Sequence, residues 1–222
     1  MRTALALLGK DLRLELRTLE TVPAMVLLAI VTFVIFHFGL DRNAIDGQLA
    51  AGVLTVSLLF AAMLGINRLF VSEREQGGFD AFLLAPVDRS AMLLAKAAAL
   101  FVFLAVLELI AVPAFGLLLL GPSLGPILLR LILILALANV GLSVIGTLVS
   151  AIAVHTRARD LIGPIIGLPL LIPALIATAR AAGPLLVAHG PSSPGRWLAI
   201  LALYDLVFAL LSYAVFDFLL ED

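Results

Sequence analysis

The sequence predicts an all-α integral membrane protein with six transmembrane helices, and three observations carry that expectation. The 222 residues are 63% hydrophobic and only 13% charged, far more apolar surface than a soluble domain of this length has to bury. Six apolar segments each reach the roughly 20 residues that a helix needs to cross about 30 Å of hydrocarbon. The polar stretches between them are short, which leaves no room for an extramembrane domain. The whole chain, residues 1–222, therefore reads as one transmembrane domain.

Composition also excludes several functions. A formal net charge of -1 gives no electrostatic case for binding nucleic acid. The absence of cysteine excludes disulfides, thiolate metal sites and C-x-x-C-H haem attachment within the chain. No cleavable signal peptide is expected, because the first long apolar run starts at Val22 with no small-residue cleavage pattern after it.

Residues 3–20 form the first element, an amphipathic helix. Leu5, Leu8, Leu12, Leu16 and Leu19 line one face, and Lys10, Arg13 and Arg17 lie on another, with Asp11 and Glu15 available to pair with them. A helix of this kind suits the interface of an anionic leaflet. The six spans follow at Val22–Leu40, Leu49–Phe70, Ala91–Leu120, Ile127–Val154, Leu161–Ala182 and Trp197–Leu220. The third and fourth exceed the hydrocarbon thickness and are expected to tilt or protrude. Gly163, Pro164, Gly167, Pro169 and Pro173 crowd the fifth, so a kinked helix or two half-spans is expected there.

Between spans two and three lies Asn67–Lys96, the longest stretch that cannot sit in hydrocarbon. Ser72–Gln76 is charged or polar, and Gly77 and Gly78 break the chain. Phe79, Phe82 and Leu83 then share one helix face. Pro86 ends that short helix, and Asp88 or Ser90 can cap the next. The pattern describes a helix lying at the membrane surface, where a soluble partner can push.

Charges in the loops set the orientation. Of the 14 Lys and Arg residues, ten lie on the side of the N-terminus: Arg2, Lys10, Arg13, Arg17, Arg68, Arg74, Arg89, Lys96, Arg157 and Arg159. Arg42, Arg130, Arg180 and Arg196 lie on the other. Both termini and the 67–96 segment are therefore expected in the cytoplasm, with Trp197 anchoring the outer interface.

The chain has no G-x-x-x-x-G-K-[ST] loop for ATP phosphates and no H-E-x-x-H motif. His37, His155 and His189 fall at different places and do not make a metal site by spacing. His37 or His189 could ligate an iron from the outer side, but a lone interfacial histidine is more often a boundary residue. The midplane holds more. Glu108 lies about 18 Å along its helix from Lys96, and Asp205 about 12 Å from Trp197, at 1.5 Å per residue. Asn139 falls near the middle of the fourth span, so all three share a depth. A charged group there costs roughly 2.5–3.5 kcal/mol on insertion scales, and such residues mark a function or serve as hydrogen-bonded glue between helices.

Asn67–Lys96 resembles the cytoplasmic coupling region of ABC-2-type transporter permeases, in the succession Glu73 and Glu75, Gly77, Leu83 and Leu84, Pro86, Lys96. The string N-R-L-F-x-S-E-R-E at Asn67–Glu75, the K-D-L-R-L-E-L-R start at Lys10–Arg17 and L-E-L-I-A-V-P at Leu107–Pro113 are similar to the haem exporter protein B (CcmB) family. The resemblance covers essentially the whole chain. It departs at Gly77-Gly78-Phe79-Asp80, where the family tends to have Gly-Thr-Leu-Glu, and the lost threonine removes a helix cap.

The resemblance implies a permease subunit of the cytochrome c maturation system in the bacterial inner membrane. It implies a second copy of the chain, an ATPase subunit CcmA carrying ATP and Mg, the membrane proteins CcmC and CcmD, and the haem chaperone CcmE as an indirect partner. Haem is then handled by the complex, with no cofactor or metal bound by this chain and no enzymatic activity of its own. Glu73, Glu75, Gly77, Phe79, Phe82, Leu83 and Pro86 become the ATPase-coupling residues, and Glu108, Asn139 and Asp205 the midplane polar candidates. The residues alone leave two other readings open: an ABC-2 exporter permease for another amphipathic substrate, and a membrane scaffold that transports nothing. For Glu73 and Glu75 the plain alternative is a solvated loop.

Overall fold

The structure, a computed structural model, describes residues 2–40, 44–70, 89–121, 123–154, 159–187 and 195–219. Seven α-helices run through them: α1 (Arg2–Thr18), α2 (Thr21–Gly39), α3 (Gly47–Arg68), α4 (Arg89–Leu118), α5 (Leu128–Val154), α6 (Arg159–Ala182) and α7 (Gly195–Leu219). Helices α2 to α7 are each long and apolar enough to cross a membrane. Every expected span is present, with its ends within two residues of the apolar boundaries. The chain is an all-α, multi-pass integral membrane protein. The short helix expected within Asn67–Lys96 lies outside the described residues.

Helix α3 is the centre of the bundle, and α2 and α7 turn most of their surface outward. The sequence explains the difference. Ala50, Ala51, Ala61 and Ala62 give α3 little side-chain bulk and are all fully buried, so neighbouring backbones approach closely. Helix α2 instead presents Leu27, Val31, Ile35 and Phe38 to the outside, as a lipid-facing helix does. Around α3 stand α2, α4, α5 and α6, and α7 closes the far side against α5 and α6. Gly146 on α5 marks a close three-helix approach: a Cβ there would meet Ile66 of α3 at 2.7 Å and Leu100 of α4 at 3.0 Å.

Helix α6 is unbroken from Arg159 to Ala182 despite Pro164, Pro169 and Pro173 within it. The half-spans that the proline density suggested are not formed. The reason is supplied by neighbours. Proline weakens the ladder in the preceding turn, and Tyr204 of α7 donates its hydroxyl to the Leu170 carbonyl in the turn before Pro173. Gln48 of α3 donates to the Ala179 carbonyl at 3.1 Å, which ties α3 to the last turn of α6.

At one end of the bundle Ile45 and Leu120 form an isolated parallel bridge, through Ile45 N–H to Leu119 carbonyl at 2.8 Å and Gly121 N–H to Ile45 carbonyl at 3.2 Å. His37 places Nδ1 2.5 Å from the Leu118 carbonyl beside it, satisfying one of the orphan carbonyls at the end of α4. That is the role of a boundary residue. His155 and His189 lie outside the described residues.

Helix α1 lies across the other end, against α4. Leu5, Leu16 and Leu19 face outward, while Leu8 and Leu12 pack on the core. The helix ends in a tight corner, where Leu19 takes a left-handed φ of 50°, a conformation costing a side-chain-bearing residue roughly 1–2 kcal/mol. Glu15 holds the corner. Its Oε1 accepts the N–H groups of Thr21 at 2.9 Å and Val22 at 2.7 Å, so it caps α2 rather than pairing along α1.

Candidate functional site

The site is best built from α5, whose sequence places Asn139, Ser143, Thr147 and Ser150 on one face at helical spacing. All four are buried. Ser143 and Thr147 donate back to the carbonyls of Asn139 (2.5 Å) and Ser143 (2.7 Å), which satisfies hydroxyls that no water can reach. Ser150 instead crosses to α3 and donates to the Ile66 carbonyl at 2.6 Å. A polar stripe therefore runs from mid-bundle to the α1 end. Sequence reasoning singled out only Asn139, although the i, i+4, i+8, i+11 recurrence was there to be found.

At the top of the stripe Asn139, 2% exposed, donates through Nδ2 to Glu108 Oε2 of α4 at 2.9 Å. The pair borders a narrow pocket between α3, α4, α5 and α6, lined also by Thr55, Thr178, Leu107 and Leu142, with room for about one water molecule. Two of the three midplane candidates are thus brought together. Asp205 is not among them. It sits on α7 in the seam with α5, where a Cβ on Gly141 would strike its Oδ1. Gly141 and Asn139 are two residues apart, about 200° around the helix, so α5 itself separates Asp205 from the Glu108 pair. Both Asp205 carboxylate oxygens are buried without a hydrogen-bond partner among the described residues, and so is the Ser212 hydroxyl on the same α7 face.

The bottom of the stripe meets a second polar centre. Lys96 of α4 is 5% exposed, and its Nζ lies 3.0 Å from Asp11 Oδ2 of α1. The same ammonium donates to the Leu69 carbonyl at 3.2 Å and stands 5.2 Å from the centroid of the Phe70 ring. Asp11 also approaches Lys10 at 3.4 Å, yet it is 8% exposed and belongs to the buried side of α1. The leucine stripe hid this, because it suggested that the inward face held only leucines. A looser ion pair, Glu20 to Arg68 at 3.7 Å, lies at the exposed margin and contributes little.

The expected coupling residues Glu73, Glu75, Gly77, Phe79, Phe82, Leu83 and Pro86 lie outside the described residues. The described chain does reach both mouths of that segment. Leu69 and Phe70 precede it, Arg89 follows it, and Lys96 holds the first pair from about two turns into α4.

Comparison with known proteins gives one consistent result. The family model described as CcmB protein matches residues 2–218. Heme exporter protein B of Rhodobacter capsulatus is 34% identical over 177 residues, covering 79% of this chain and 80% of the relative. Heme exporter protein B of Paracoccus denitrificans is 30% identical over 213 residues, covering 95% and 94%. The protein of the same name from Bradyrhizobium diazoefficiens is 30% identical over 205 residues, covering 91% and 90%.

Proposed function

The chain belongs to the CcmB protein family, and from that premise we propose that it is the permease subunit of an ABC transporter complex for haem export and cytochrome c biogenesis. The observation that carries the reading is the family match across residues 2–218. In this reading the chain sits in the bacterial inner membrane with both termini and the α1 end of the bundle in the cytoplasm, as the excess of Lys and Arg on that side favours. Segment 67–96 receives the ATPase subunit CcmA, which binds ATP and Mg. Two copies of the chain pair, and CcmC and CcmD complete the assembly. ATP hydrolysis then releases the haem-loaded chaperone CcmE.

Within that complex the chain transmits force. The Glu108–Asn139 pocket, with room for about one water, is itself no haem site, because haem is a macrocycle many times larger. Ser150 ties α5 to the end of α3 that leads into the coupling segment. The same helix α5 reaches Glu108 of α4 through Asn139. The absence of any phosphate-binding loop in the sequence leaves the energy to a partner.

Complementation tests the reading. In a strain deleted for its own family member, expression of this chain with its cognate partners restores covalently haem-stained c-type cytochromes. If the chain reaches the membrane with its partners and haem staining does not return, while a different amphipathic compound is exported in an ATP-dependent way, the haem assignment is wrong.

A further inference from the structure

A pair of charges as deeply buried as Asp11 and Lys96 calls for a reason other than stability. Well-packed apolar residues at such positions are commonly as stabilising as a buried ion pair, or more so. What charges add is a defined geometry. Lys96 Nζ on α4 gathers three groups at one atom: Asp11 from α1 at 3.0 Å, and from the end of α3 the Leu69 carbonyl at 3.2 Å and the Phe70 ring at 5.2 Å. An amphipathic helix at an interface has no intrinsic reason to keep one azimuth or one neighbour. Asp11 gives α1 both, because only one rotation of the helix points that carboxylate at Lys96. The Glu15 cap on Thr21 and Val22 and the left-handed Leu19 fix the other end of α1 to α2.

We propose that Asp11 and Lys96 are positioning residues for ATPase coupling: their contact binds α1, the end of α3 and the start of α4 into one rigid unit that moves together when the ATPase pushes. The inference rests on the reading that segment 67–96 receives an ATPase. Under it α1 is a lever. Its inner face is pinned to the helix ends that flank the segment, and its outer face carries Leu5 and Leu16 into the interface, so a small displacement at α3 and α4 is carried across the membrane surface.

The chain has no cysteine, so two introduced cysteines can be labelled cleanly. Leu5→Cys on α1 and Leu94→Cys on α4 are both 65% exposed positions suited to spin labels. Distances between them are measured in the complex reconstituted with its ATPase, with and without ATP. Cytochrome c maturation per chain in the membrane is measured in parallel. The expected result is one narrow distance distribution that keeps its width through the ATP cycle. Asp11→Asn broadens it and lowers maturation at least fivefold, while recovery of the ATPase stays within twofold of wild type. Asp11→Glu, which keeps the charge, stays within twofold on every readout. A distribution unchanged in Asp11→Asn overturns the joint, and a broadened one with normal maturation overturns its role in coupling. Failure of the unsubstituted chain to bring down an ATPase overturns the proposed function instead, and leaves the distance comparison to decide the joint by itself.

Discussion

Replacing Asn139 by Leu removes the one donor that Glu108 Oε2 receives across the α4–α5 contact, at nearly constant volume. Two magnitudes bear on the cost. Hydrogen bonds between membrane helices average about 0.6 kcal/mol in double-mutant cycles, with a maximum near 1.7. Leaving a buried polar group unsatisfied costs about 1–3 kcal/mol. Asn139 is 2% exposed and Glu108 only half-buried, so the orphaned carboxyl retains some access to the narrow pocket. The single substitution is therefore expected near the lower end of the second range, about 1–2 kcal/mol. Glu108→Gln keeps an oxygen to accept the bond and is expected to cost less. In a cycle of Asn139→Leu and Glu108→Leu the coupling is expected at about 0.6–1.7 kcal/mol, which is about threefold to about twentyfold in the unfolding equilibrium constant. Unfolding by steric trapping in bicelles reads that constant directly. A coupling energy within about 0.3 kcal/mol of zero would refute the claim that the two residues act as a pair.

Three further outcomes follow from the packing. Glu15→Ala removes the acceptor for two N–H groups at the start of α2 and should destabilise the chain by about 0.5–2 kcal/mol in the same assay, with faster amide exchange at Thr21 and Val22. Gly141→Val drives a side chain into Asp205 and should cost about 1–3 kcal/mol, while Asp205→Ala in the same chain returns part of that, so the two changes are not additive. Tyr204→Phe leaves the Leu170 carbonyl without its donor from α7 and should cost about 0.5–1.5 kcal/mol, with increased exchange confined to the turns of α6 around Pro169 and Pro173.

The spans were legible because hydrocarbon imposes a length and a composition, and a run such as Thr21–Gly39 admits no other fold. Family membership was legible in three short strings spread across the chain. The continuity of α6 was not. The prolines are local, but the donor that meets the Leu170 carbonyl before Pro173 sits on α7, far away in sequence. The equal depth of Glu108, Asn139 and Asp205 was readable from rise per residue. Their azimuth was not, because it depends on which face of α5 meets which neighbour, and α5 divides the three into a pair and a lone carboxylate. Asp11 was misjudged for a related reason. Periodicity grouped Leu5, Leu8, Leu12, Leu16 and Leu19 on one face, yet only Leu8 and Leu12 of that stripe pack inward, beside an acid that Lys96 draws in from 85 residues away in the chain.

In the proposed function this chain passes on an ATPase stroke and is no charged path for a substrate. Two variants test it side by side in cells: Phe82→Asp in the coupling segment, and Glu108→Gln combined with Asp205→Asn at mid-bundle. Cytochrome c maturation and recovery of the ATPase subunit are scored in the same membranes. Phe82→Asp is expected to lose the ATPase and maturation together, while the double carboxylate variant keeps its ATPase and matures cytochromes normally. A double variant that holds its ATPase yet fails to mature cytochromes would contradict it and make the mid-bundle acids a working site.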